Sequence, residues 1–237
     1  IEPSAIELSH HPRLLVGEEI GGNSEVIYRD MIRETIREHL EKEATLKKSG
    51  IKVLSLFFVD KVASYMGEAD SLSNANGPFA QWFDEIYRSE VQRQIDLEPE
   101  YGKRIPSNPE EVRSAYFAST KKGVAKDSTN RENADDSRAY DLIMKDKERL
   151  LSVSEPVRFI FSHSALREGW DNPNVFQICS LREMGGETER RQTLGRGLRL
   201  PVDQDGNRYS DRSIAQLTVV ANESYTRFAK GLQDEYV

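Results

Sequence analysis

One cysteine in 237 residues excludes an intramolecular disulfide. That residue, Cys179, closes the apolar run Val175-Phe176-Gln177-Ile178-Cys179, where it reads as a small buried hydrophobe. No apolar run approaches the roughly 18 residues of a membrane span, so the expectation is a soluble, cytoplasmic protein. The four histidines and single cysteine form no spaced Cys/His set, which leaves no zinc site and makes His163 a loop histidine. Asp135-Asp136 reads as a helix cap before it reads as a metal site, so no metal ligands are expected. No phosphate-cradling loop of the form GxxxxGK followed by Ser or Thr occurs, and there is no internal repeat. The chain begins Ile1-Glu2-Pro3 without an initiator methionine, and is read as a stretch of a longer polypeptide.

The chain holds 37% hydrophobic residues, enough to bury one sizeable core. Its 31% charged residues exceed the roughly 25% of ordinary soluble chains. The net charge of −7 argues against a simple nucleic-acid binder, which needs a basic face. Acidic residues gather near 96–100 and 132–136, however, whereas 188–199 carries four arginines and one glutamate, so a local basic site survives the negative total.

Residues 1–25 read as a strand or linker from an upstream part, with Arg13-Leu14-Leu15-Val16 as the apolar stretch. A domain over 26–237 follows. Ile32, Ile36, Leu40 and Ala44 recur every four residues, predicting a helix from Val26 to about Lys48 that Gly50 ends. Val53–Val59 has the composition of a buried parallel strand. Phe79, Trp82, Phe83, Ile86 and Tyr87 share a helical face behind Pro78, as core packing. The polar stretch 99–136 reads as a surface hairpin insertion. Asp135 or Asp136 would cap a helix bearing Tyr140, Ile143, Met144 and Leu150 or Leu151. Strands at 157–161, 175–180 and 214–221 alternate with helices near 187–198 and after Asn222, which predicts an α/β fold with a mainly parallel sheet covered on both faces.

Two segments carry chemistry. Residues 190–199 read RRQTLGRGLR, and glycine inside a helix costs about 1 kcal/mol against alanine, so something such as a close backbone approach must favour it. On a helix Gln192, Arg196 and Arg199 share a face at spacings of four and three, and guanidinium groups so presented suit phosphate oxygens. The competing reading is a solvated arginine face paired with Glu187 and Glu189. Residues 162–175, SHSALREGWDNPNV, join two predicted strands where open α/β sheets bind ligands, although Asp171-Asn172-Pro173 is equally an ordinary turn.

Together these segments resemble motifs V and VI of superfamily 2 helicases. The stretches 142–151, 158–163, 200–201 and 218–225 are similar more narrowly to the restriction and translocation (Res) subunits of type III restriction enzymes. The resemblance covers roughly residues 50–237 and implies a second RecA-like domain, three-layered. It would take ATP between itself and a first RecA-like domain and move along double-stranded DNA beside a modification (methyltransferase) subunit. It implies Arg196 and Arg199 as arginine fingers, Gln192 and Gly195 as nucleotide-coupling positions, and Gly169 and Asp171 as the motif V glycine and acid. Phe57 and Phe58 resemble motif IV, where packing serves equally well. Magnesium is implied with its ligands elsewhere, as are the acidic box and nuclease cluster, so the chain alone is expected to be inactive. Thr193 departs from relatives that place an arginine there. The alternative function is a non-catalytic module that uses the basic helix to bind DNA or a partner.

Overall fold

A nearly continuous apolar strand can be buried only if both faces of its sheet are covered, and Leu54–Val59 is buried at every residue. The structure, a computed structural model, describes residues 5–6, 14–15, 24–117, 134–163, 170, 172–182 and 187–221. Its elements run β1 (Ala5–Ile6), β2 (Leu14–Leu15), α1 (Ser24–Leu46), β3 (Leu54–Val59), α2 (Val62–Met66), α3 (Pro78–Leu97), α4 (Pro99–Gly102), α5 (Pro109–Val112) and β4 (Arg113–Tyr116). They continue with α6 (Ala134–Tyr140), a π-helical turn (Asp141–Lys145), α7 (Lys147–Leu151), β5 (Phe159–Ser162), β6 (Val175–Leu181), α8 (Glu187–Gly197) and β7 (Thr218–Val220). β1 and β2 pair antiparallel, so the strand expected near Leu14 exists as a two-residue piece.

The main sheet has the order β4-β5-β3-β6-β7, with every pairing parallel. Alternation along β3 divides the core in two. Phe57 and Val59 join Ile32, Ile36 and Leu40 of α1 and Phe79, Phe83 and Tyr87 of α3 on one face. Leu54, Leu56 and Phe58 join Leu142, Ile143, Leu150 and Trp170 on the other. Phe57 stacks on Phe161 with ring centroids 4.6 Å apart. Each buried phenylalanine contributes about 1.5–3 kcal/mol from burial alone. Packing therefore accounts for both Phe57 and Phe58. Three layers of helix, sheet and helix result, the α/β architecture of a RecA-like domain.

The predicted helices and strands hold with shifted ends. Gly50, at φ 63°, donates its N–H to the carbonyl of Lys47 and turns the chain off the first helix as expected. Pro78 stands in the first turn of α3. Two expectations need correction. Arg113–Tyr116, read as part of a surface hairpin within 99–136, is instead a parallel edge strand on β5, because Ala115 and Tyr116 face opposite cores. The helix over 134–151 is also not continuous. Asp135 and Asp136 lie inside α6, the chain widens into the π turn, and Asp146 begins α7 by accepting the N–H of Arg149. Residues 118–133 and the helix expected after Asn222 lie outside the described residues.

Polar groups concentrate under α1. A His39 Nδ1–H tautomer donates to Ser55 Oγ at 2.8 Å, and the Ser55 hydroxyl donates to Gln177 Oε1 at 2.8 Å. Burial holds His39 well below its ordinary pKa, so it is neutral. Where β3 and β5 begin, Arg158 Nε meets Glu43 at 3.0 Å, and buried Lys52 donates to the carbonyl of Glu155 at 2.5 Å. Burial first, then the neighbouring Arg158 guanidinium, pushes the Lys52 amine down to about 7.

Candidate functional site

Helix α8 leaves β6 for β7 and lies on the same face of the sheet as Trp170 and the π turn, with Leu194 packed on that core. Its residues divide by depth. Thr193 is 1% exposed and Arg196 9%, whereas Gln192 is exposed. Burying Thr193 explains the departure noted above, since a long cation at that position would have to enter the core. The side chains of Glu187 and Glu189, the proposed surface partners, lie outside the described residues.

Arg196 is the unusual group. Its Nη1 donates to the backbone carbonyl of Trp170 at 3.2 Å, while Nε is buried without a hydrogen-bond partner among the described residues. Among the described residues no carboxylate pairs with it. Burial lowers its pKa from the ordinary value, but a guanidinium stays charged. An interior positive charge facing a single carbonyl costs free energy that a solvated arginine face would not.

The expectation that Gln192, Arg196 and Arg199 share a helical face is corrected by the helix end. Helix α8 ends at Gly197, so Arg199 stands two residues beyond it, exposed, with Nη1 3.5 Å from the carbonyl of Leu198. Leu198 and Leu200 beside it are 62% and 43% exposed. Gly169 and Asp171 lie outside the described residues. Asn172, by contrast, makes the turn that was the competing reading, its Oδ1 accepting the N–H of Asn174 at 3.1 Å. Asn174 then exchanges two hydrogen bonds with Val202, which fixes the chain after α8.

The two glycines of α8 differ. A Cβ on Gly197 would stand 2.4 Å from Leu217 Cδ1, so close approach within the chain explains that glycine. A Cβ on Gly195 would meet nothing within 4 Å. Gly195→Ala is therefore expected to hold or raise stability, by up to about 1 kcal/mol from helix propensity, while Gly197→Ala lowers it. Thermal unfolding of both variants measures the difference. If Gly195→Ala unfolds several degrees earlier, the space beside Gly195 is not open.

Trp170 was not singled out by sequence. It is 4% exposed, and its Nε1 donates to the carbonyl of Ile143 at 2.7 Å. The available signal was a lone tryptophan within a polar connection. Among the described residues no three His, Cys, Asp or Glu side chains gather to hold a metal, and no helix is long and apolar enough to cross a membrane.

A five-stranded parallel sheet with helices on both faces and an arginine-bearing helix after its fourth strand in chain order defines an α/β domain of RecA-like type. No family model matches the chain. Its sequence is homologous to a segment of the Res subunits of type III restriction-modification enzymes. It is 36% identical over 223 residues to the EcoP15I Res subunit of Escherichia coli, covering 90% of this chain and 22% of that one. It is 36% identical over 220 residues to the EcoPI Res subunit of Escherichia phage P1, covering 89% and 21%. Against the StyLTI Res subunit of Salmonella typhimurium the identity is 33% over 230 residues, covering 86% and 22%. The chain thus spans about a fifth of the length of these curated relatives.

Proposed function

We propose that this chain is the second motor domain of a longer type III Res polypeptide, supplying Arg196 to an ATP site completed by a first RecA-like domain. Hydrolysis there drives movement along double-stranded DNA in support of cleavage, beside a modification subunit in the bacterial cytoplasm. The observation that carries the reading is the buried Arg196 guanidinium, charged and with its Nε unpartnered among the described residues. A surface contact to DNA would not need that burial, so the non-catalytic reading is less well supported.

The residues fit a phosphate-bearing group. Among the described residues no carboxylate neutralises the Arg196 guanidinium, and the backbone beside Gly195 is open. Bound ATP supplies the phosphoryl group that water attacks. Arg196 holds a delocalised positive charge in a low-dielectric setting, where it stabilises negative charge more than it would in water. Gln192, exposed on α8 one turn before Arg196, and Arg199, exposed beyond the helix end, are assigned to the same site. Magnesium would be held by groups outside the described residues. Gly169 and Asp171 keep their proposed coupling role. The isolated chain is expected to hydrolyse no ATP.

The test is ATP hydrolysis, with and without duplex DNA, by the full-length polypeptide carrying Arg196→Ala. An unchanged rate sinks the assignment.

A further inference from the structure

The path from the π turn to Arg196 is continuous. At Asp141–Lys145 the helix widens, with Asp146 donating its N–H to the carbonyl of Asp141 at 2.8 Å, and the ladder breaks at Asp146 before α7 resumes. Such turns accompany functional sites more often than regular helix does. Inside this turn the carbonyl of Ile143 accepts the Trp170 indole N–H, and the carbonyl of Trp170 in turn accepts Arg196 Nη1. All three residues are buried, with Ile143 fully enclosed, Trp170 4% exposed and Arg196 9%.

We propose that Trp170 is a positioning residue, whose indole fixes the backbone carbonyl that accepts from the Arg196 guanidinium. The proposal rests in part on the reading of Arg196 as a phosphate-facing group. A carbonyl suits that task better than a carboxylate. It orients the guanidinium through a dipole and leaves the full positive charge for an incoming anion, whereas a carboxylate would neutralise it. The tryptophan ring adds rigidity, since it packs in the same core as Leu142, Ile143 and Ile178, and so ties the arginine to the sheet rather than to its own helix alone. The arrangement also accounts for an otherwise solitary indole in a polar connection, because a buried indole N–H must find an acceptor.

Trp170→Phe keeps an aromatic ring in the core and removes only the N–H donor and some area. In the full-length polypeptide, amide hydrogen exchange across residues 187–199 is expected to quicken by about threefold or more, with α1 unchanged, as local opening of that helix becomes easier. Unchanged exchange overturns the proposal. Trp170→His retains a ring N–H and is expected to keep more protection than Trp170→Phe, so the reverse order also overturns it. This readout does not depend on hydrolysis.

In hydrolysis, Trp170→Phe is expected to lower kcat about tenfold while KM for ATP stays within about twofold, the pattern of an interaction realised in the transition state. In the Arg196→Ala background the same change should alter kcat by less than about twofold, because contacts in one chain of bonds are not additive. Equal losses in both backgrounds mean that Trp170 acts independently of Arg196, and the proposal falls. If Arg196→Ala alone leaves hydrolysis intact, the phosphate reading fails, and hydrogen exchange decides the positioning role by itself.

Discussion

The full-length polypeptide carrying Arg196→Ala is expected to hydrolyse ATP about a hundredfold or more slowly, the usual cost of a lost arginine finger, while unfolding no earlier than the parent. The two halves of this expectation have one cause. Arg196 is buried against the carbonyl of Trp170, without a carboxylate among the described residues, so the folded domain bears its desolvation. Truncation removes that cost along with one hydrogen bond and the packing of the stem, and the opposing terms are each about 1–3 kcal/mol. Activity should therefore fall steeply at nearly constant melting temperature. A fall in melting temperature matching the loss of activity would instead make Arg196 a structural residue. Arg196→Lys separates charge from shape, and is expected to recover little because an ammonium cannot reach both the carbonyl and a phosphate with a planar fork.

The second large effect concerns Lys52. Its amine titrates at about 7 in the fold against an ordinary 10.5. Between those values the unfolded chain binds a proton that the folded chain does not, so stability falls as pH drops from 10.5 to 7 and the penalty is constant below 7. At about 1.4 kcal/mol per unit, the penalty reaches on the order of 5 kcal/mol as an upper bound. Lys52→Met, similar in length and apolar, is expected to gain on the parent by several kcal/mol at pH 6 and by much less at pH 10.5. Urea unfolding of both proteins across that range measures it, and a difference independent of pH would show that the amine is not desolvated. His39 adds a slope of the same sign. It too is held neutral, so the parent loses further stability as pH falls below about 6.5.

The sequence made legible those elements whose burial pattern is local. β3 and β6 are enclosed on both faces, so their apolar runs announce them, and α1 and α3 carry their stripes in the helical period. β4 was missed because a four-residue edge strand beginning with an arginine has no period to read. That arginine is accommodated by Asp84, 2.6 Å from Arg113 Nε, which is distant in sequence. The break at Asp146 was hidden because the π turn keeps Leu142, Ile143 and Leu150 on one core, imitating a continuous helix. At α8, the spacing of Gln192, Arg196 and Arg199 assumed a helix running through Arg199, whereas the helix ends at Gly197, and although a close approach was expected at a helical glycine, its partner Leu217 is distant in sequence and could not be read. Trp170 was out of reach for a related reason, since both its hydrogen bonds span more than 25 residues.

The amine beneath the sheet has a chemical consequence. With its amine pushed down to about 7, Lys52 holds far more free base at neutral pH than an ordinary lysine, which is almost wholly ammonium. The folded chain thus stores a competent nucleophile where no electrophile in solution reaches it, at 2% exposure. Its rate of acetylation by a small reagent is a clock for the breathing of that end of the sheet, read one lysine at a time by mass spectrometry.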